Sequence, residues 1–148
     1  MLQQREYFYD VDAKGVLYHQ GTPLTDRAFL NFFFRRIAVN QTGRHTRYPW
    51  VSPCGREMNY VRCAESIVVF LRMEDGRLFY NHTDLSVAFE PDLLRISSDG
   101  MLYHPLNDAI AGRLGERITR ELAENISQDG QNYVLTHGSK RYLLPIDS

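Results

Sequence analysis

Gly15-Val16-Leu17-Tyr18-His19 returns later in the chain as Gly100-Met101-Leu102-Tyr103-His104. Each copy reads as a turn glycine leading into a short strand. Before the first copy, Tyr7 to Val11 predicts a strand and Asp12-Ala13-Lys14-Gly15 a turn, with Gly15 at the position that needs positive φ. After each copy the same order follows: a helix, a glycine (Gly43, Gly130), an aromatic strand (Tyr48, Tyr133) and a closing hairpin. Glycine to glycine is 28 residues in the first copy (43 − 15) and 30 in the second (130 − 100). Repetition on this scale predicts an α+β fold of two related ββαββ units, about 5–64 and 90–148, joined by central strands within 65–89. The expectation is a single compact domain over residues 1–148, with antiparallel sheets of about ten short strands and two helices around one core.

The helices follow from periodicity. Thr25 or Asp26 caps the first, which runs to about Ala38 with Phe29, Leu30, Phe33 and Ile37 on one stripe. Phe32 and Phe34 widen the apolar surface, so this helix is expected to be covered on more than one side and to offer an oligomer contact. A second helix is expected over Asp108 to Ile126, where Ile110, Leu114, Ile118, Leu122 and Ile126 recur every fourth residue and Glu116, Arg120 and Glu124 lie outside. Gly112 and Gly115 inside it cost about 1 kcal/mol each in propensity, which points to a close approach by another backbone. Between the units, Ile67 to Arg72 is an apolar run fit for a central strand.

Composition sets the limits. A chain of 148 residues is the size of one domain and buries enough surface to need no disulfide framework. Two cysteines suit a reducing compartment. No run approaches 18 apolar residues, and the opening Met-Leu-Gln-Gln-Arg-Glu has neither an apolar signal core nor an Arg/Ser-rich leader. The expectation is a soluble, cytoplasmic protein with no membrane association. A net charge of −1 argues against general nucleic-acid binding, yet the charge is segregated. From Arg35 to Arg62 six arginines face one acid (6 − 1 = +5), and from Glu65 to Gly130 six arginines face twelve acids (6 − 12 = −6).

The densest chemistry lies in Ser52-Pro-Cys-Gly-Arg-Glu-Met-Asn-Tyr-Val-Arg-Cys63. It reads as a hairpin of strands Tyr48 to Ser52 and Met58 to Cys63 about a Pro53/Gly55 turn. Arg44, Arg47, Arg56 and Arg62 form an arginine cluster suited to planar anions, and Ser52, Cys54, Glu57 and Asn59 complete the candidate ligand-binding set. Glu57 is expected to bridge to an arginine of the cluster, with Cys54 beside a cleft and Cys63 turned into the sheet. Cys54 is also the candidate catalytic residue, a thiol activated by Arg56. Such catalysis needs a base, for which His19, His45 and His104 are available. A redox disulfide between Cys54 and Cys63 and a zinc site shared with two histidines are the other chemistries open to these thiols, but their spacing matches no zinc knuckle, and no metal or cofactor is expected.

Arg5-Glu-Tyr-Phe-Tyr9, Ser52-Pro-Cys-Gly-Arg-Glu57 with Asn59 and Arg62-Cys63, Phe89-Glu-Pro91 and Leu102-Tyr-His-Pro105 together resemble an uncharacterised family of bacteria and animals, whose animal members look mitochondrial. The resemblance covers most of the chain and implies no established activity. A helix followed by a strand and a Pro-containing hairpin also resembles a second uncharacterised bacterial family with tandem domains, for which sensing has been suggested. The functional expectation is a non-enzymatic ligand-binding or regulatory domain that recognises a small anionic ligand or acidic protein partner through the arginine cluster. The alternative is a cysteine-dependent enzyme or thiol redox protein using Cys54.

Overall fold

Short strands punctuated by tight turns build two halves, and the computed structural model describes residues 4–147. The first half runs β1 (Arg5–Val11), β2 (Leu17–His19), β3 (Thr22–Pro23), helix α1 (Arg27–Arg35), β4 (Ala38–Val39), β5 (Trp50–Cys54) and β6 (Glu57–Cys63). Between the halves stand β7 (Val69–Glu74), β8 (Arg77–Tyr80) and β9 (Ser86–Ala88). After a 3-10 turn at Pro91–Leu93, the second half runs β10 (Arg95–Ser97), β11 (Leu102–Pro105), β12 (Ala111–Leu114), helix α2 (Glu116–Ala123), β13 (Ile126–Asp129), β14 (Asn132–His137), β15 (Lys140–Leu144) and β16 (Ile146–Asp147). The class is α+β; relative to ββαββ the first half carries one more short strand on either side of its helix, and the second half one more before its helix and two more after it.

The first sheet has the order β3-β2-β1-β6-β5-β4, in which β1 pairs antiparallel with β2 and parallel with β6. In the second half β12-β11-β10-β16 lie side by side, and β13-β14-β15 form a separate sheet. Here too the first strand, β10, pairs antiparallel with its neighbour β11 and parallel with the last strand, β16. Pro145 separates β15 from β16, so across that break the second half follows the order of the first. The matching turns agree in detail. Asp12 N–H donates to Val16 O and Gly15 N–H to Asp12 O (3.0 and 3.1 Å); Ser97 N–H donates to Met101 O and Gly100 N–H to Ser97 O (2.8 and 2.9 Å). Gly15 and Gly100 have φ of 82° and 85°, a region that strains any residue with a Cβ.

Asp26 caps α1, its carboxylate accepting from the Ala28 and Phe29 N–H groups at 3.0 and 3.3 Å. The helix buries Leu30, Phe33 and Phe34, each worth about 1.5–3 kcal/mol against exposure. Phe29 and Phe32 are partly exposed, and the Arg36 guanidinium stacks 3.7 Å from the Phe32 ring centre, so the outer side is not a bare aromatic stripe. One contiguous apolar cluster runs from Tyr9 and Val11 through Phe70 and Leu78 to Leu135 and Leu144, joining both halves.

The second helix corrects the sequence reading. Residues 111–114 of the expected Asp108 to Ile126 helix are strand β12, paired antiparallel with β11 and parallel with β7. Spacing of four fits a strand's period of two as well as a helix's 3.6, and Ile110, Gly112 and Leu114 take the inner face of a strand. The glycines mark the difference. A Cβ on Gly112 would lie 2.6 Å from Phe70 Cε2 and Val68 Cγ1, and one on Gly115 would lie 3.0 Å from Phe70 O. The ion pair on α2 is Arg117–Glu121 at 3.3 Å rather than one drawn from Glu116, Arg120 and Glu124. Among the described residues no helix is long and apolar enough to cross a membrane.

Candidate functional site

Hairpin β5–β6 closes on the two residues Gly55 and Arg56, with Cys54 opposite Glu57, Pro53 opposite Met58 and Ser52 opposite Asn59. The turn is therefore tighter than a Pro53/Gly55 turn. Gly55 has φ of 64°, as a two-residue turn with glycine first requires. Pro53 is tolerated inside β5 because β4 pairs only as far as Trp50 and Val51, leaving no neighbour that needs its missing N–H.

Strand alternation divides the candidate residues between two faces. Ser52, Cys54, Glu57 and Asn59 share the face covered by α1, while Arg62 points to the other side and Arg56 sits in the turn. On the helix side, Ser52 is fully buried and its hydroxyl donates to Phe33 O at 2.6 Å, fastening the hairpin to the end of α1. Asn59 Nδ2 donates to Ser52 O at 2.9 Å, but its Oδ1 is buried without a partner, a cost of about 1–3 kcal/mol. Cys54 Sγ lies 3.7 Å from Ser52 Oγ. Burial first, then the Glu57 charge, pushes the Tyr9 phenol up.

The expected Glu57 bridge does not form: among the described residues Glu57 has no guanidinium within ion-pair distance. The carboxylates that hold the cluster come from β1 instead. Arg44 bonds Glu6 in a fork (2.9 and 3.2 Å), and Arg62 bonds Asp10. Arg47 and Arg56 have no carboxylate partner among the described residues. The cluster is thus dispersed, with Arg44 and Arg62 neutralised on the face opposite Cys54.

That opposite face carries a constellation the sequence reading missed. Phe8 stacks on Tyr60 (5.6 Å between centroids), and His45 and Tyr48 from the 40–49 loop pack on Phe8 at 4.9 and 5.1 Å. Asn40 orders the loop by donating to the carbonyls of Arg44 and Tyr48, both at 2.9 Å, and by accepting from Thr42. Glu6 receives Arg44, His45 (3.3 Å) and the buried Tyr60 hydroxyl (3.0 Å). Arg44 first, with His45 and Tyr60, holds the Glu6 carboxyl at about 2, against 4.5 for an ordinary glutamate. Alternation in Glu6, Phe8 and Asp10 was the available signal, but only the long loop folding back gives those residues partners.

The histidines do not serve Cys54. His45 is on the wrong face, and the His19 ring lies on Tyr9 at 4.7 Å. His104 is buried, its Nδ1 donating to Pro105 O (2.8 Å) and its Nε2 accepting from Glu90 N–H (3.1 Å); burial pushes its pKa down. Cys54 and Cys63 are free and stand at opposite ends of the hairpin, about 20 Å apart for six residues of strand, too far to pair or to share a metal ion. Cys63 packs against the core, and burial pushes its thiol up.

The second half has no counterpart to the 40–49 loop, since only residues 130 and 131 join β13 to β14. The register pairs Val11 with Cys63 and Ile96 with Ile146, and counting back from those pairs makes Leu93, at the end of the 3-10 turn, and Leu143, on β15, the sequence counterparts of Phe8 and Tyr60. Leu93 is 41% exposed against 36% for Phe8, and Leu143 61% against 1% for Tyr60, so the bare position is that of Leu143. At Leu93 a cleft of about 410 Å³ is lined also by Tyr103, Pro105 and Ala111, with Arg95 and Asp147 paired at 2.8 Å on its rim.

A family model described as a domain of unknown function (DUF4505) matches residues 2–142. A crystal structure of a DUF1285 family protein from Silicibacter pomeroyi is similar with a TM-score of 0.66 and 14% identity, covering 94% of this chain and 80% of that one. Another DUF1285 family protein, from Shewanella baltica, is similar with a TM-score of 0.61 and 16% identity, covering 78% and 90%. At these identities the likeness is one of fold.

Proposed function

Since the chain belongs to the DUF4505 family, a domain of unknown function that brings no activity with it, we propose its function from its own surface: a non-enzymatic binding module that seats a polypeptide segment on the outer face of its second half. One observation carries this reading. On the first half the 40–49 loop lays His45 and Tyr48 on Phe8 and His45 on the buried Tyr60, whereas on the second half Leu143 is bare and Leu93 lines an apolar cleft. The segment that fits is therefore an extended or looped stretch presenting an aromatic side chain to Leu93, Leu143, Tyr103 and Pro105. Aromatic anchors in such pockets supply most of the energy of small interfaces. The matching strand orders and turns support a further proposal, that the units of about 5–64 and 90–148 descend from one duplicated element whose capping loop survives in one copy only. Arg47 and Arg56, the arginines of the expected cluster without carboxylate partners among the described residues, belong to the first half and do not line this cleft.

The test is selection from a displayed random-peptide library against the purified protein and against Leu93→Asp and Leu143→Asp, exposed sites at which the fold is retained. The expected result is enrichment of aromatic-centred peptides that bind the wild type and lose at least tenfold in affinity on either variant. Equal binding to the variants, or self-association in light scattering that Leu143→Asp abolishes, would overturn it, the latter in favour of a second copy of the chain as occupant. The rival reading, a Cys54-dependent enzyme or thiol redox protein, has neither a histidine in contact with Cys54 nor a second thiol within reach of it.

A further inference from the structure

Where the two halves meet, Arg113 is buried (7% exposed) on β12, and its guanidinium donates from Nη2 to the Ala13 carbonyl in the β1–β2 turn. Its Nε is buried and makes no hydrogen bond. Glu65 Oε2 lies 3.3 Å from that nitrogen without hydrogen-bond geometry, on a side chain that is 52% exposed. The Glu65 carboxylate thus offsets the charge of the buried guanidinium without satisfying its Nε–H, and an oxyanion able to bond that N–H would be favoured there.

The start of α2 stands on the same cleft. Its cap is Gly115, which offers no side-chain acceptor, and Gly115 N–H is already given to Phe70 O at 2.7 Å. The first-turn N–H groups that follow therefore have no side-chain cap, and the helix dipole adds partial positive charge there. Gly115 and Arg113 both line a cleft of about 480 Å³ together with Lys14, His82, Val69 and Leu71, and Glu65 and Glu116 also border it. It shares no lining residue with the cleft of the second half's outer face.

We propose that this junction cleft binds a phosphomonoester, its phosphoryl oxygens taken by Arg113 Nε, the uncapped first turn of α2 and Lys14. The phosphoryl group alone fills a small part of 480 Å³, and the remainder, walled by Val69, Leu71 and Met101, accommodates the organic body of a phosphorylated metabolite. Glu65 holds the place of the anion in its absence. Being half exposed and without a hydrogen bond to Arg113, it swings outward when the phosphoryl group enters.

Isothermal titration of the full chain with inorganic phosphate and with adenosine monophosphate, at constant ionic strength, tests this. Both are expected to bind saturably at one site, the nucleotide more tightly. Glu65→Gln removes a competing charge and is expected to tighten both by about two- to fivefold, the range of one exposed ion pair. Lys14→Ala is expected to weaken both by a similar factor. Amide resonances of Arg117 and Ile118 should shift with occupancy in the wild type. Glu65 and Lys14 side chains are exposed enough for both variants to fold, so the outcome does not depend on the buried arginine. Absence of saturable binding by either probe overturns the proposal. So does binding that is unchanged in both variants, which would mark an adventitious ion elsewhere; binding of phosphate no weaker than of the nucleotide refutes the organic body's place in the cleft.

Discussion

Gly112→Ala has opposite signs under the two readings of residues 108–126. In a helix, replacing an interior glycine by alanine stabilises by about 1 kcal/mol. In β12 the new Cβ would lie 2.6 Å from both Phe70 Cε2 and Val68 Cγ1 and 3.1 Å from Phe70 Cδ2. Phe70 and Val68 are fully buried, and Phe70 is wedged between Tyr80 and His104, so neither yields without displacing the centre of the core. Overpacking of this kind costs about 1–3 kcal/mol. For a chain of this size each kcal/mol moves Tm by about 2–4 °C, so the expected fall is about 4–8 °C for a cost near 2 kcal/mol. Thermal unfolding followed by far-UV circular dichroism, with urea denaturation to confirm an unchanged m-value, measures it. A variant more stable than the wild type would refute the strand assignment and the packing derived from it.

Ser52→Ala removes a buried hydrogen bond but leaves Phe33 O with the Arg36 N–H, so the cost should be close to about 1 kcal/mol by urea denaturation. A loss above about 3 kcal/mol would mean that the hydroxyl holds more than α1. Mild oxidation should yield no intrachain disulfide between Cys54 and Cys63 by non-reducing mass spectrometry, and Cys54 should react with a thiol reagent before Cys63, which packs on the core. Two groups contribute to the acid limb of stability in separate windows, alongside the exposed Asp84 and Asp99 carboxylates, which hydrogen bonds from Asn31 and Ser97 also hold down. His104 has a native pKa below 6.5, so the unfolded chain takes up the proton first; stability is full above pH 6.5, falls as pH drops below it, and His104→Gln should flatten that slope. Glu6 titrates at about 2 in the fold and 4.5 outside it, so its contribution is full above pH 4.5 and is lost between 4.5 and 2; Glu6→Gln should flatten only that lower window.

The turns were legible because their chemistry is local. Gly15 and Gly100 declare themselves in a few residues, and Asp26 marks the start of α1. Residues 108–126 misled because a four-residue spacing serves both periods, and the neighbour that decides between them, β7, lies about forty residues away in the chain. The hairpin at Ser52 stood out as a cluster of polar groups, but alternation sends Ser52, Cys54, Glu57 and Asn59 to one face and Arg62 to the other. No one-dimensional reading brings Glu6 to Arg44 and His45, or Arg113 to Ala13, because those contacts depend on a loop fold and on the seating of one half against the other.

The parallel pairing of β1 with β6 has a consequence for the newly made chain. At about 5–20 residues per second, β6 leaves the ribosome several seconds after β1. Through that interval the hairpin of β1 and β2 presents Tyr9 and Val11 beside an unpaired edge, the kind of surface that trigger-type chaperones shield. The second half repeats the delay, because β10 waits for Ile146 and Asp147, which follow it by some fifty residues. That half cannot close until β16 has followed β10 out of the ribosome.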